Sequence, residues 1–161
     1  MPLYSCDQVY TKELYYEYSW CAYYKISSYK KIVAILIAAV VLFAVSFVLS
    51  ERYIAAAIIL ISIPIYPVIL KKGINKRINK AWESNVTLRD LSYHVDFYDT
   101  YLETTSENGS NKTYYDKLFG ILETEHILAL MIGNNQGNVF NKEQMSEDLI
   151  TFLKTKAKVI K

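Results

Sequence analysis

Two uncharged apolar runs, Ile32 to Leu49 and Tyr53 to Leu70, lie back to back with only Ser50, Glu51 and Arg52 between them. Each run is 18 residues long, and at ~1.5 Å rise per residue a helix of that length covers ~27 Å, close to the ~30 Å hydrocarbon core of a bilayer. The pair therefore predicts a transmembrane helical hairpin. The rival, a buried hairpin in a soluble protein, would keep a polar stripe, yet residues 32–49 carry nothing more polar than Ser46 on any face. Pro64 and Pro67 interrupt the second run. Inside a span, a neighbouring helix and local backbone adjustment absorb such a break, so the prolines predict a bend rather than an end.

Orientation follows from the basic residues. Lys12, Lys25, Lys30 and Lys31 precede the first run, and Lys71, Lys72, Lys76, Arg77, Lys80 and Arg89 follow the second, whereas the loop between carries only Arg52. Positive charge stays on the cytoplasmic side, so a two-span protein of the plasma membrane with both termini cytoplasmic is expected. The first 31 residues contain Asp7, Glu13 and Glu17 and no small-residue cleavage site follows the apolar run, which does not fit a removable signal peptide.

Charge and length divide the rest. Residues 1–31 sum to +1, residues 32–80 to +5 and residues 81–161 to −4, so cations collect beside the membrane and the distal part is acidic. A basic flank gains ~1 kcal/mol per residue from an anionic leaflet, while an acidic domain repels nucleic-acid phosphates. The expected partners are the bilayer, with its anionic inner-leaflet lipids, and a protein of unidentified kind; nucleic acid is not expected. The organisation read from the sequence is an N-terminal segment (1–31), the hairpin (32–70, with spans 32–49 and 53–70), a basic stalk (71–82) and a soluble domain (83–161).

Thr11 to Lys31 is expected to be a helix feeding the first span. Thr11 is a good N-cap, and Leu14, Tyr18, Cys21 and Lys25 fall on one face. Tyr15, Tyr16, Tyr18, Trp20, Tyr23, Tyr24 and Tyr29 crowd the same stretch. Amphipathic rings suit the headgroup layer, which predicts an interfacial anchor packed partly on the soluble domain. In the stalk, Ile74, Ile78 and Trp82 repeat at helical spacing. The residues expected at the membrane surface are Trp20, Tyr23, Tyr24, Lys30, Lys31, Lys71, Lys72, Lys76, Arg77, Lys80 and Trp82.

Beyond Trp82 the apolar period falls to two. Tyr93–Phe97 alternates, and further strands are expected at 101–106, from Lys112 to Tyr115 running toward Thr124, at 127–132 and at 138–140, with turns at Asp99–Thr100, 107–110 and 133–137. This predicts an antiparallel meander. A terminal helix follows, with Asn141 as cap, Gln144 as its return partner, and an apolar stripe of Met145, Leu149, Phe152, Leu153 and Ala157. The fold class is an α+β membrane protein: an N-terminal helix, a two-helix hairpin, then a β-meander or barrel with a C-terminal helix.

Several of these residues together resemble a known family. The two adjacent spans, Phe97-Tyr98-Asp99, the Tyr-Tyr-Asp-Lys-Leu stretch at 114–118, Ile121-Leu122-Glu123 and Val139-Phe140-Asn141-Lys142 are similar to the YcxB-like bacterial membrane proteins. Tyr115 stands where such sequences commonly have Trp and Asn141 where they commonly have Pro. The resemblance implies a bacterial cytoplasmic domain of PH-like form and brings no catalytic residues with it.

The remaining residue types agree. Cys6 and Cys21 lack neighbouring His partners, so neither a zinc site nor, in the cytoplasm, a disulfide is expected. His94 and His126 have no nucleophile beside them in sequence. No cofactor, metal or catalytic set is therefore expected. The leading functional reading is a non-enzymatic, membrane-anchored interaction protein presenting a PH-like domain at the inner leaflet. The alternative is an immunity protein that gives self-protection against a membrane-active bacteriocin or toxin, since small two-span proteins with PH-like domains resemble some bacterial immunity proteins. The third is an oligomeric transporter or channel component; Ala55, Ala56 and Ala57 allow close helix contact within or between copies, although the spans carry no ionisable residue to mark an ion path.

Overall fold

The computed structural model describes residues 1–26, 29–134 and 136–160. In chain order the elements are β1 (Tyr4–Tyr10), α1 (Lys12–Lys25), α2 (Tyr29–Leu49), α3 (Tyr53–Ser62), α4 (Ile65–Ser84), β2 (Leu91–Phe97), β3 (Tyr101–Ser106), β4 (Gly109–Tyr114), β5 (Gly120–Glu123), β6 (Ile127–Met131), β7 (Gly137–Asn141) and α5 (Glu147–Lys156). They form two compact units, Met1–Ser27 with Trp82–Lys161, and Ser28–Ala81.

The smaller unit holds the hairpin. Its apolar helices span Tyr29–Leu49 and Tyr53–Ser84, and only 6% of either apolar window is buried. Both are long and apolar enough to cross a membrane. The loop closes through a left-handed helix cap: Arg52 N–H donates to Phe47 O at 2.9 Å and Glu51 N–H to Val48 O at 3.0 Å, with Glu51 at φ 60° where a glycine is commoner. The break between α3 and α4 falls at Ile63 and Pro64. Pro64 has no N–H to give to Leu60 O, and the neighbouring Ile63 N–H takes that carbonyl in a tighter turn at 3.2 Å. Pro67 sits in the first turn of α4, where an N–H would lack a helical partner anyway.

In the larger unit, β1, β2, β3 and β4 pair antiparallel in that order, and β5, β6 and β7 form a second antiparallel sheet. One face of the second sheet, with Ile121, Leu128, Leu130 and Phe140, meets Val95, Phe97 and Leu102 of the first sheet and Leu149, Ile150 and Leu153 of α5. The other face, with Leu122, Ile127, Ala129, Met131 and Val139, is covered by Leu14, Tyr18 and Cys21 of α1. Every side chain of β6 is consequently inaccessible, which is why Ile-Leu-Ala-Leu-Met reads as an unbroken apolar run instead of alternating. The free edge of β5 is closed by the chain's end: Lys158 O accepts from Ile121 N–H at 2.9 Å and Ile160 N–H donates to Ile121 O at 2.8 Å. Gly120 makes that approach possible, since a Cβ there would lie 2.8 Å from Ile160 Cγ1 and 3.0 Å from Lys158 O.

Several expectations are corrected. The sequence reading places no strand before Thr11, yet β1 pairs with β2 along its whole length, Tyr4 opposite Phe97 through Tyr10 opposite Leu91. The helix capped by Thr11 does not run to Lys31 but ends at Lys25, where Ile26 N–H closes the last turn on Ala22 O. The strand expected to run from Lys112 toward Thr124 is split by a 3₁₀ turn at Tyr115–Lys117, which starts the second sheet, and among the described residues no closed barrel forms. Asn141 caps only a 3₁₀ turn, through Glu143 N–H; the helix itself begins later, with Ser146 accepting from Leu149 N–H. Ser27 and Ser28 of the expected first helix, Asn135 of the expected 133–137 turn, and Lys161 lie outside the described residues.

Candidate functional site

The cations expected at a membrane surface occupy helix surfaces in the hairpin unit. Lys30 and Lys31 lie in the first turn of α2, and Lys71, Lys72, Lys76, Arg77 and Lys80 follow one another along α4; all are exposed. At ~100° per residue, Lys72, Lys76 and Lys80 form one row, on the side of α4 away from the buried Ile74 and Ile78. Among the described residues, none of these cations has a carboxylate partner. The only acidic residue between positions 28 and 81 is Glu51, in the loop at the other end of the hairpin.

The aromatic residues of α1 divide by face. Leu14, Tyr18 and Cys21 point into the core beneath the second sheet, and burial pushes the Tyr18 hydroxyl up to about 12. Trp20, Tyr23 and Tyr24 sit away from that core and pack on one another, with ring centroids 6.5 Å apart for Trp20–Tyr23 and 5.7 Å for Trp20–Tyr24. Trp82 departs from the expected set. It is 5% exposed, and its ring packs against Tyr10 at 6.1 Å and Tyr15 at 5.5 Å. A tryptophan clasped by two tyrosines from β1 and α1 is a domain contact, not a headgroup contact.

Lys25 also has a different duty. Its ammonium donates to Glu123 O at 3.1 Å and Ile160 O at 3.4 Å, tying α1 to β5 and the chain's end. Nearby, Lys142 and Lys154 reach Glu123 Oε1 at 3.1 and 2.7 Å, while Thr124 Oγ1 donates to Glu17. Burial alone would raise the Glu123 carboxyl, but the hydrogen bonds from Lys154 and Lys142 outweigh it and hold it below the ordinary range. Glu123 thus ties α5 and the turn after β7 to β5.

The outer surface of the first sheet carries the other ionisable group of note. Register places Asp7 opposite His94 and Ser5 opposite Asp96. His94 Nδ1 lies 2.7 Å from Asp7 Oδ1 and Nε2 3.3 Å from Asp96 Oδ1, and Ser5 Oγ donates to that same Asp96 oxygen at 2.5 Å. The hydrogen bond with Asp7 raises the His94 pKa above its ordinary value; desolvation opposes it and Asp96 adds to it. Because the folded pKa is raised, the stabilisation is complete below the unfolded value of ~6.5 and is lost as pH rises through the folded value. An NMR titration should place His94 above ~6.5, and Asp7→Asn should return it toward that figure; an unchanged titration in the variant would remove Asp7 as the cause.

Sequence reasoning missed a cavity of about 150 Å³ lined by Tyr10, Leu88, Leu91, Thr104 and Val139 among others, at one end of the two sheets. Among the described residues Thr104 Oγ1 is buried without a hydrogen-bond partner, and Tyr93, also on its wall, donates to Val139 O at 2.5 Å. The signal that could have located it is the period-two spacing of Tyr4, Cys6 and Tyr10, broken by the polar Gln8, which marks β1 as a wall of the same unit. Cys6 and Cys21 are free thiols, and among the described residues no group of three or more His, Cys, Asp or Glu side chains converges as a metal ligand set.

No curated protein and no solved structure matches the chain. The segment that contains the strands from β3 onward and the final helix is another matter: residues 97–157 match the family model described as YcxB-like protein, and the family resemblance read from the sequence is borne out over that segment.

Proposed function

We propose that this protein is a two-span integral protein of the bacterial plasma membrane, with both flanks of the hairpin in the cytoplasm, that acts without catalysis by presenting a PH-like domain to partners at the inner leaflet. The observation that carries the proposal is the hairpin's uncovered apolar surface. Two helices of 21 and 32 residues leave their apolar windows 94% unburied, an exposure that water would penalise at ~25 cal/mol per Å² of apolar surface and lipid does not. The basic residues support the orientation, because Lys30, Lys31, Lys71, Lys72, Lys76, Arg77 and Lys80 flank the ends of the spans and only Arg52 lies in the loop. The PH-like reading rests on the antiparallel meander followed by one terminal helix and on the YcxB-like segment.

Membrane confinement raises the local concentration of any partner that shares the same surface. The test has two parts. The protein should stay in the membrane pellet through alkaline carbonate extraction, and an impermeant thiol reagent applied to spheroplasts should label Glu51→Cys but label Ser110→Cys only after permeabilisation. Release by carbonate overturns the membrane assignment, and the reverse labelling pattern overturns the orientation. Crosslinking in intact membranes should then capture a defined protein or lipid on the domain.

A further inference from the structure

We infer that the hairpin carries a discrete binding site for an anionic phospholipid, with one acyl chain lying along an apolar cleft between α2 and α4 and the phosphate held by Lys30 and Lys71. The inference rests on the membrane reading above and assigns a ligand to the basic flank. It starts from an asymmetry in how the two spans pack. Along α3 the helices lie close, with Ala44 2% and Ala56 3% exposed where small side chains let the backbones approach. Past the break at Pro64 the contact between the helices is much thinner, and an apolar cleft of about 50 Å³ opens. Val33, Leu36, Ile37 and Val40 form one wall, and Ile63, Tyr66, Pro67 and Leu70 the other.

The cleft has a direction. Val33 to Val40 and Ile63 to Leu70 each cover ~10 Å of helix and run antiparallel, so Val33 and Leu70 mark one end and Val40 and Ile63 the other. Lys30 lies one turn before Val33 and Lys71 directly follows Leu70, on the near sides of their helices, whereas Lys31 and Lys72 lie about 200° around from Val33 and Leu70. Two exposed ammonium groups, with no carboxylate partner among the described residues, therefore belong to the same end of a slot too apolar for water. That arrangement matches a molecule with a negative head and a hydrocarbon tail. A second copy of the hairpin would bring its own like-charged lysines to the same end, which disfavours it as the occupant. A zwitterionic lipid would fill the slot but leave the cations uncompensated.

The full-length protein, reconstituted in nanodiscs of equimolar phosphatidylglycerol and phosphatidylcholine and released for native mass spectrometry, should retain phosphatidylglycerol about tenfold over phosphatidylcholine, a factor equivalent to ~1.4 kcal/mol. Replacing Lys30 and Lys71 by glutamine should abolish the preference, whereas replacing them by arginine, or replacing Lys31 and Lys72 by glutamine, should keep it. Leu36→Trp, which fills the cleft, should reduce retained lipid of both kinds. Equal retention of the two lipids by the wild type, an undiminished preference after glutamine replacement of Lys30 and Lys71, or a lipid-free dimer that Leu36→Trp dissociates would each overturn the inference. Carbonate extraction of the same cells separates these outcomes from failure of the membrane reading: a protein that stays in the pellet yet shows no lipid preference refutes the site alone.

Discussion

Phe140→Ala should destabilise the strand-rich unit by about 3–5 kcal/mol, the usual cost of removing a fully buried phenylalanine ring. Phe140 is inaccessible, lies opposite Leu128 in the β6–β7 ladder, and meets Phe97 edge-on at a centroid separation of 5.7 Å. That ring contact sits among the apolar contacts that join the inner faces of the two sheets. Domains commonly hold only ~5–15 kcal/mol in reserve, so the variant should lose its near-ultraviolet circular dichroism at a temperature at least ~12 °C below the wild type in detergent micelles. The far-ultraviolet signal of the hairpin helices should survive, since they belong to the other compact unit. Phe140→Leu should cost much less, because most of the apolar volume stays. A Phe140→Ala protein melting within ~3 °C of the wild type would show that the two sheets do not depend on this contact.

Gln8→Ala should cost about 2–4 kcal/mol, with a local signature that Phe140→Ala lacks. Gln8 is 1% exposed, in the middle of β1. Its Oε1 accepts from Asn141 N–H at 2.7 Å and its Nε2 donates to Asn141 O at 3.4 Å, so one side-chain amide stands in for a neighbouring strand at the edge of β7. The same Nε2 lies 3.5 Å from Cys6 Sγ. Truncation removes partners from two backbone groups and leaves a void between β1 and β7. Hydrogen exchange at the Asn141 amide should accelerate well beyond that of Phe140, whose ladder with β6 remains. Unchanged exchange at Asn141 would mean that water replaces the glutamine without loss.

The two predictions fall on opposite sides of what local pattern reveals. Phe140 belongs to a strand legible from Val139 and Phe140 alone, and β3 begins and ends at the bounds expected for the strand-like stretch 101–106. The buried face of α1 is legible too, because Leu14, Tyr18 and Cys21 obey helical spacing and Thr11 caps the start. Gln8 escapes such reasoning. A polar residue at an inward position disguises the period-two pattern of Tyr4, Cys6 and Tyr10, and its partner stands at the far end of the chain. Trp82 misleads in the other direction: an aromatic residue after a basic helix resembles an interfacial anchor, and only the rings of Tyr10 and Tyr15 make it a core residue. Among the residues expected at the membrane surface, the lysines and arginine are exposed, since a charged side chain stays at the surface wherever the fold places its backbone.

Hydropathy and spacing are short-range properties, and so the sequence by itself determined the two apolar helices, the proline break, the strands of the meander and the closing helix. Pairing is long-range. That β1 crosses the entire hairpin insertion to lie against β2, that α1 covers one face of the second sheet while β2, β3 and α5 cover the other, and that α2 and α4 part beyond Pro64 were decided only in the tertiary structure. Each of those outcomes depends on which distant apolar surface completes a core or leaves a cleft, a choice made by packing complementarity and not by any residue's immediate neighbours.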